Sequence, residues 1–272
     1  MPGTARHGKN AGYATDHNSH IPYAQAVPSV PQLPSKNQIN KAGDYLSDLL
    51  AMSGVDFVKN YDPEKYAAAV RVVSDYRAAH QRPLGATSQG LRQIVRSETG
   101  VQPIVSQRLK RVPRILRKLN RMGHGGLARL EDIGGCRAVL PDADVLEHVR
   151  EHVGRTWKDI IIAERRNVHS PTSMGYRAYH LTILKFDRKI EVQLRTVGQQ
   201  RWADSIERTD SRHGLTLKDG VGPESLMDYF SGAGEMIYSL EYGVPRSDSS
   251  ITKFREAREK VINDGYFRRK GE

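Results

Sequence analysis

Cysteine is nearly absent: the 272 residues contain one, Cys136. A single thiol excludes an intrachain disulfide and a cysteine-based zinc site. It lies in the apolar-leaning run CRAVL (136–140) and reads as a small core residue rather than a catalytic thiol. No apolar run approaches the length of a membrane span. The opening residues, MPGTARHGKNAGYATDHNSH, lack the apolar stretch of a secretion signal, so the expectation is a soluble, cytoplasmic protein. Internal repeats are also lacking. Acidic residues are outnumbered, 31 Asp and Glu against 42 Lys and Arg, for a net charge of +11. That balance favours polyanionic partners such as nucleotide phosphates or nucleic acid. The 38% hydrophobic content suffices for one large domain, or one domain with helical appendages.

Along the chain, residues 1–40 are rich in Pro, Gly, Ser, Asn and His without apolar periodicity and read as a flexible arm. Helical patterning follows in residues 41–100. One helix starts near Asn40, carries Leu46, Leu49, Leu50 and Met52, and stops at Gly54. A second, Pro63–His80, opens on the cap-and-proline signal Asp62-Pro63-Glu64 and would bury Tyr66, Val70, Val73 and Tyr76. Pro83 and Gly85 should break it before a third helix from Thr87 to Glu98. In 101–210 short β-like runs alternate with helices: VQPIVSQRLK, IGGCRAVL, KDIIIAER, YHLTILKF and KIEVQLRT. A helix at 144–153 places Val145, Val149 and Val153 on one face. The link Phe186–Lys189 suggests an antiparallel hairpin. Residues 211–272 return to helical patterning and should end in a peripheral helix. The expected class is α+β, a mixed β-sheet flanked by helices with helical N- and C-terminal extensions.

Four constellations carry chemistry. Arg108–Arg121 holds seven cations and no acid. On a helix, Arg114, Lys118 and Arg121 share a face, while Ile115, Leu116, Leu119 and Met122 turn to the core. Triphosphate would relieve the crowded charge, although a solvated basic face is the plain alternative. Asp132 enters the run Ile133-Gly134-Gly135-Cys136-Arg137 and could hold Mg²⁺ together with substrate phosphates, or simply cap a turn. Gly175-Tyr176-Arg177-Ala178-Tyr179-His180 delivers aromatics, an Arg and a His from a glycine loop, suited to base stacking or to a core hairpin entry. In Glu191–Thr196 the period of two sets Glu191, Gln193 and Arg195 on one face and Ile190, Val192 and Leu194 on the other. Glu191 could accept a proton from an attacking hydroxyl or help hold a metal.

In order and spacing, R-x-K-x4-I-x2-K-L-x-R, D-I-x-G-x-R, G-Y-R-x-x-H and E-V-Q-x-R-T resemble the synthetase domain of the RelA/SpoT family, over roughly residues 90–210. Gln199-Gln200-Arg201-Trp202-Ala203 is similar to that family's Q-x-W-A helix start. The resemblance implies a nucleotidyltransferase-like sheet, ATP as pyrophosphate donor and Mg²⁺ as cofactor. It implies that Arg108, Lys110, Lys118, Arg121 and Arg137 bind ATP, and that Asp132 and Glu191 hold the metal. Tyr176 would stack on the acceptor base, with Arg177, His180, Gln193 and Arg195 on the acceptor side. Glu191 would activate the acceptor 3′-hydroxyl. With no hydrolase half before it and no regulatory domains after it, the chain resembles a single-domain small alarmone synthetase, close to the toxic kind.

Two departures from the family's pattern stand out, and the second bears on the acceptor. The family's K-S-P-x-S reads Lys110-Arg111-Val112-Pro113-Arg114, and Thr172 stands where a Lys usually precedes the glycine loop. The acceptor is therefore either a guanine nucleotide, giving a (p)ppGpp-type product, or the 3′-CCA end of tRNA. Either implies growth inhibition, a possible antitoxin partner and possible self-assembly. An inactive nucleic-acid-binding module would need neither Asp132 nor Glu191. His148 and His152, spaced as a zinc pair, lack a further ligand motif and read as a surface pair.

Overall fold

The computed structural model describes residues 34–172 and 174–267. The expected flexible arm lies outside the described residues as far as residue 33. The chain is helical earlier than the expected start near Asn40. Ser35 caps α1 (Lys36–Ala51) in a reciprocal box with Gln38, which satisfies two free backbone donors. Gly54 does not end this helix; it opens a short one, α2 (Gly54–Asn60). Asp62 caps α3 (Pro63–Ala78) as its sequence signal predicts. Val73 and Tyr76 are buried, while Tyr66 remains exposed. Pro83 and Gly85 do not break the chain. The break falls at residues 79–80, and Pro83 sits in the first turn of α4 (Gln81–Thr99), where no intrahelical N–H is needed.

Five strands follow: β1 (Ile104–Leu109), β2 (Gly134–Leu140), β3 (Ile161–Arg166), β4 (Tyr179–Lys185) and β5 (Arg188–Thr196). They form one mixed sheet in the order β1-β2-β5-β4-β3, in which only β2 and β5 run parallel. The β4–β5 turn is tighter than the expected four-residue link. Phe186 and Asp187 both adopt positive φ, 47° and 57°, the mirror-image turn whose twist suits two antiparallel strands.

The sheet has one dry face and one polar face. Ile190, Val192 and Leu194 of β5 are fully buried with Cys136, Ala138 and Leu140 of β2 and Leu181 and Ile183 of β4. They pack beneath α4 and α6 (Ala143–Thr156), which contribute Leu91, Val95, Leu146, Val149 and Val153. Cys136 is a core residue as expected, and burial pushes its thiol up to about 12, out of reach of thiolate chemistry. A second core joins α1, α3 and α5 (Val112–Met122). A third lies among α7 (Val197–His213), α8 (Glu224–Tyr242) and α9 (Asp248–Asn263). Among the described residues no helix is long and apolar enough to cross a membrane.

Candidate active site

Strand register builds the polar face. Arg108, Gly135, Glu191 and Thr182 stand side by side on β1, β2, β5 and β4. Ser106, Arg137, Gln193, His180 and Arg165 form the next row across all five strands. Residues paired directly across a ladder share a face, so the period-two reading of β5 places its three polar side chains here together.

Glu191 separates two hollows. One, of about 240 Å³, is lined by Lys118, Asp132, His180, Thr182 and Glu191, with Glu131 and Arg165 at its wall. The other, of about 140 Å³, is lined by Arg108, Arg137, Gln193 and Glu191. The residues expected to bind ATP are thus divided: Lys118 faces the first hollow, Arg108 and Arg137 the second. The expected acceptor residues are divided too, His180 in the first hollow and Gln193 in the second.

Asp132 directs one oxygen, Oδ2, at both Lys110 Nζ (2.6 Å) and Lys118 Nζ (2.9 Å). Burial would raise its carboxyl, but the two ammonium groups outweigh burial and hold it below the usual carboxylate range. Its other oxygen, Oδ1, is buried without a hydrogen-bond partner. A buried orphan of this kind costs stability unless a ligand completes it.

Seven side chains close a hydrogen-bonded ring. Arg195 Nη2 donates to Tyr176 Oη (2.6 Å), which meets His180 Nε2 (2.7 Å). His180 Nδ1 lies 2.9 Å from Glu191 Oε1. Gln193 Nε2 donates to Glu191 Oε2 (2.9 Å), and Gln193 Oε1 accepts from Arg137 Nε (3.0 Å). Arg137 Nη1 and Arg195 Nη1 both donate to Gln200 Oε1, at 3.2 and 3.1 Å. A guanidinium only donates, so Tyr176 Oη accepts from Arg195 and can pass its own hydrogen to His180 Nε2. In the neutral imidazole this puts the proton on Nδ1, aimed at Glu191. Burial acts to raise the Glu191 carboxyl, yet the bonds from His180 and Gln193 leave it below its ordinary value, ionised at neutral pH. Burial, Arg195 and Arg108 push the Arg137 guanidinium below its ordinary range, the mark of crowded positive charge.

Three expected residues sit differently. Arg177 does not reach the polar face. It is buried against α8, where it donates to Val168 O and pairs with Glu235 at 2.7 Å beneath the Tyr238 ring. Arg121 points away from both hollows and pairs with Asp219 at 2.9 Å. Tyr176 is half-buried, its ring packed between Trp202 and the Arg195 guanidinium rather than standing free. Met122, expected in the core, is exposed at the wall of the larger hollow. The glycine of this loop is required: Gly175 has φ 78° and lies so close to Ser231 O that a Cβ would come within 2.9 Å.

Sequence reasoning missed Gln200, Glu131, Thr182 and Arg165. Glu131 Oε2 accepts from Arg165 (2.8 Å) and Thr182 (3.2 Å) at the rim of the larger hollow. The register of β3 and β4 against β5 was the available signal for Thr182 and Arg165. His152 pairs with Glu98 at 2.5 Å, and among the described residues no group of three or more His, Cys, Asp or Glu could hold a metal.

Residues 107–210 match the family described as "Region found in RelA / SpoT proteins". An uncharacterized protein of Mycobacterium tuberculosis, Rv1366, is 29% identical over 134 residues, covering 48% of this chain and 48% of its own length. The chain therefore spans about half the length of the curated relatives it matches. Among solved structures, small alarmone synthetase 2 from Bacillus subtilis superposes with a TM-score of 0.51 at 22% identity, covering 61% of this chain and 93% of that one. Small alarmone synthetase 1 from the same organism gives 0.50 at 24% identity, covering 71% and 97%. Residues 107–210 are thus similar to the RelA/SpoT region, and the fold is that of the small alarmone synthetases.

Proposed function

We propose that this protein transfers the β,γ-pyrophosphate of ATP to a 3′-hydroxyl. The observation that carries the reading is Glu191, ionised and fixed between a hollow that holds Asp132 and a hollow lined with arginine. Arg108 and Arg137 offer guanidinium faces and donors for the nucleotide, and Lys110 and Lys118 stand beside Asp132 where the phosphates would lie. The acceptor oxygen attacks the β-phosphorus, the bond from that phosphorus to the α-β bridging oxygen breaks, and AMP leaves. The hydroxyl proton passes to Glu191, whose two oxygens each retain a lone pair beyond their bonds to His180 and Gln193.

Mg²⁺ fits the residues present. Asp132 Oδ1 is an oxygen without a partner, Glu191 is a second carboxylate on the same hollow, and magnesium favours one or two carboxylates completed by phosphate and water. When bound it would offset negative charge on the phosphates, and Asp132 and Glu191 would hold it.

The family's alarmone chemistry makes a guanine nucleotide the first acceptor reading. One observation favours the second, an RNA 3′ end. The larger hollow is lined by Lys118, Arg129 and Arg165 against Glu131, Asp132, Glu164 and Glu191, with Arg165 already paired to Glu131. Three cations against four carboxylates leave this hollow without net positive charge for a 5′-di- or triphosphate, and Thr172 adds none. An acceptor whose phosphates lie outside the hollow suits this charge better. Incubation with γ-labelled ATP and GDP, GTP, AMP or deacylated tRNA tests both readings. Label on GDP or GTP supports the first and label on tRNA the second; no transfer to any of them overturns the function.

A further inference from the structure

The side chain that closes the ring is Gln200, on the first turns of α7. Its single oxygen accepts from Arg137, which lines the arginine hollow, and from Arg195, which leads through Tyr176 and His180 to Glu191. Its amide nitrogen donates to Asp204 Oδ1 at 2.6 Å, one turn along the same helix, so the amide cannot rotate freely. Arg137 and Arg195 repel each other, and one carbonyl oxygen holds both. Arg195 is almost wholly buried, its Nε without a partner, so it cannot find a substitute in water.

We propose that Gln200 is a positioning residue that couples the two substrates: a nucleotide bound at Arg137 and an acceptor bound beside His180 strengthen each other through this shared oxygen. The proposal rests on the pyrophosphotransfer reading. A phosphate or base that draws Arg137 toward itself loosens the Arg137–Gln200 bond and leaves Gln200 Oε1 to Arg195 alone. That tightens the run Arg195–Tyr176–His180–Glu191 and sets the Nδ1–H of His180 on the carboxylate that must take the proton. Groups in one hydrogen-bonded network polarise and orient one another, so breaking a central member separates its ends.

The test measures binding to the full chain by calorimetry, with α,β-methylene-ATP and Mg²⁺ as donor probe. Binding is measured alone, with GDP and with deacylated tRNA. The wild type should bind the donor probe about 5-fold or more tightly in the presence of one of these acceptors. In Gln200→Ala that ratio should fall to about 1, while affinity for the probe alone changes by less than about 3-fold. Turnover should drop more than the donor KM rises. Gln200→Glu keeps an accepting oxygen between the guanidinium groups but loses the donor to Asp204, so it should retain part of the coupling, which separates loss of the bond to the arginines from loss of packing. Asp204→Ala should weaken the coupling in part. A Gln200→Ala protein that keeps the wild-type ratio overturns the proposal, and so does one that fails to bind the probe alone. A wild type that transfers pyrophosphate but binds the two ligands independently overturns the coupling and leaves the function standing. A wild type that neither binds the probe nor transfers label removes both.

Discussion

The two faces of the sheet treat a buried charge in opposite ways. On the dry side, His80 is fully buried near the start of β2, its Nδ1 bonded to Tyr76 O at 2.8 Å and its Nε2 without a partner. Burial outweighs that one bond, and the imidazole is held neutral down to about 4. On the polar side, Glu191 is also largely enclosed, yet donors on both oxygens keep it charged. Burial alone does not decide ionisation; the number of partners that favour the charged form does. The dry face therefore supplies stability and the polar face supplies an anion ready to act.

The largest expected effect attacks the polar face at its centre. Glu191→Gln should lower turnover by about 10²–10⁴-fold while the melting temperature changes little; near-normal initial rates would remove Glu191 from the mechanism. One residue triplet further along the same strand the outcome should invert. Leu194→Ala should cost about 2–5 kcal/mol of stability in denaturant titrations and leave turnover per folded molecule near wild type. A large loss of activity with unchanged stability would mean that the faces are not separable.

Acid should expose the contrast as well. Because His80 has a folded value below its unfolded one, the unfolded chain binds the extra proton. Stability should then fall as pH drops from about 6.5 toward 4, by about 3 kcal/mol, and this contribution should level off below. His80→Gln should flatten that slope in a pH series of unfolding curves. Activity should follow a different curve. Glu191 and Asp132 lie below the usual carboxylate range, so turnover should hold as pH falls until below that range. His180→Ala removes a bond that favours the Glu191 anion while burial remains, so the acid limb of the rate profile should move upward; an unmoved limb would deny His180 that influence. The smallest effect belongs to Arg121→Ala. Its exposed pair with Asp219 is worth about 0–1 kcal/mol, and the donor KM should not change.

Much of this was legible because β-structure writes itself in alternation. The apolar and polar sets of β5 were readable residue by residue, as were the cap at Asp62 and the helical face through Val149 and Val153. What was hidden depends on distant partners. Tyr176 and Arg177 are neighbours, yet only Tyr176 joins the ring. Arg177 turns to Glu235 and Tyr238, about 60 residues onward, and no local pattern announces that choice. Gln200 stood in a recognisable helix start, but its worth comes from two arginines on different strands. Pro83 misled for a local reason: a proline that breaks a helix interior is harmless in a first turn, and its meaning changes with a boundary only four residues away.

The Phe186-Asp187 reversal sets a constraint on how this protein can vary. Two residues with left-handed backbones fix which side chain of β4 meets which of β5, and so bring His180 within reach of Glu191. Adding or deleting one residue there could move the imidazole to the wrong side of the sheet while preserving every amino acid of the ring. Lengthening that corner by an odd number is thus a change that sequence comparison would score as trivial and that chemistry would not survive.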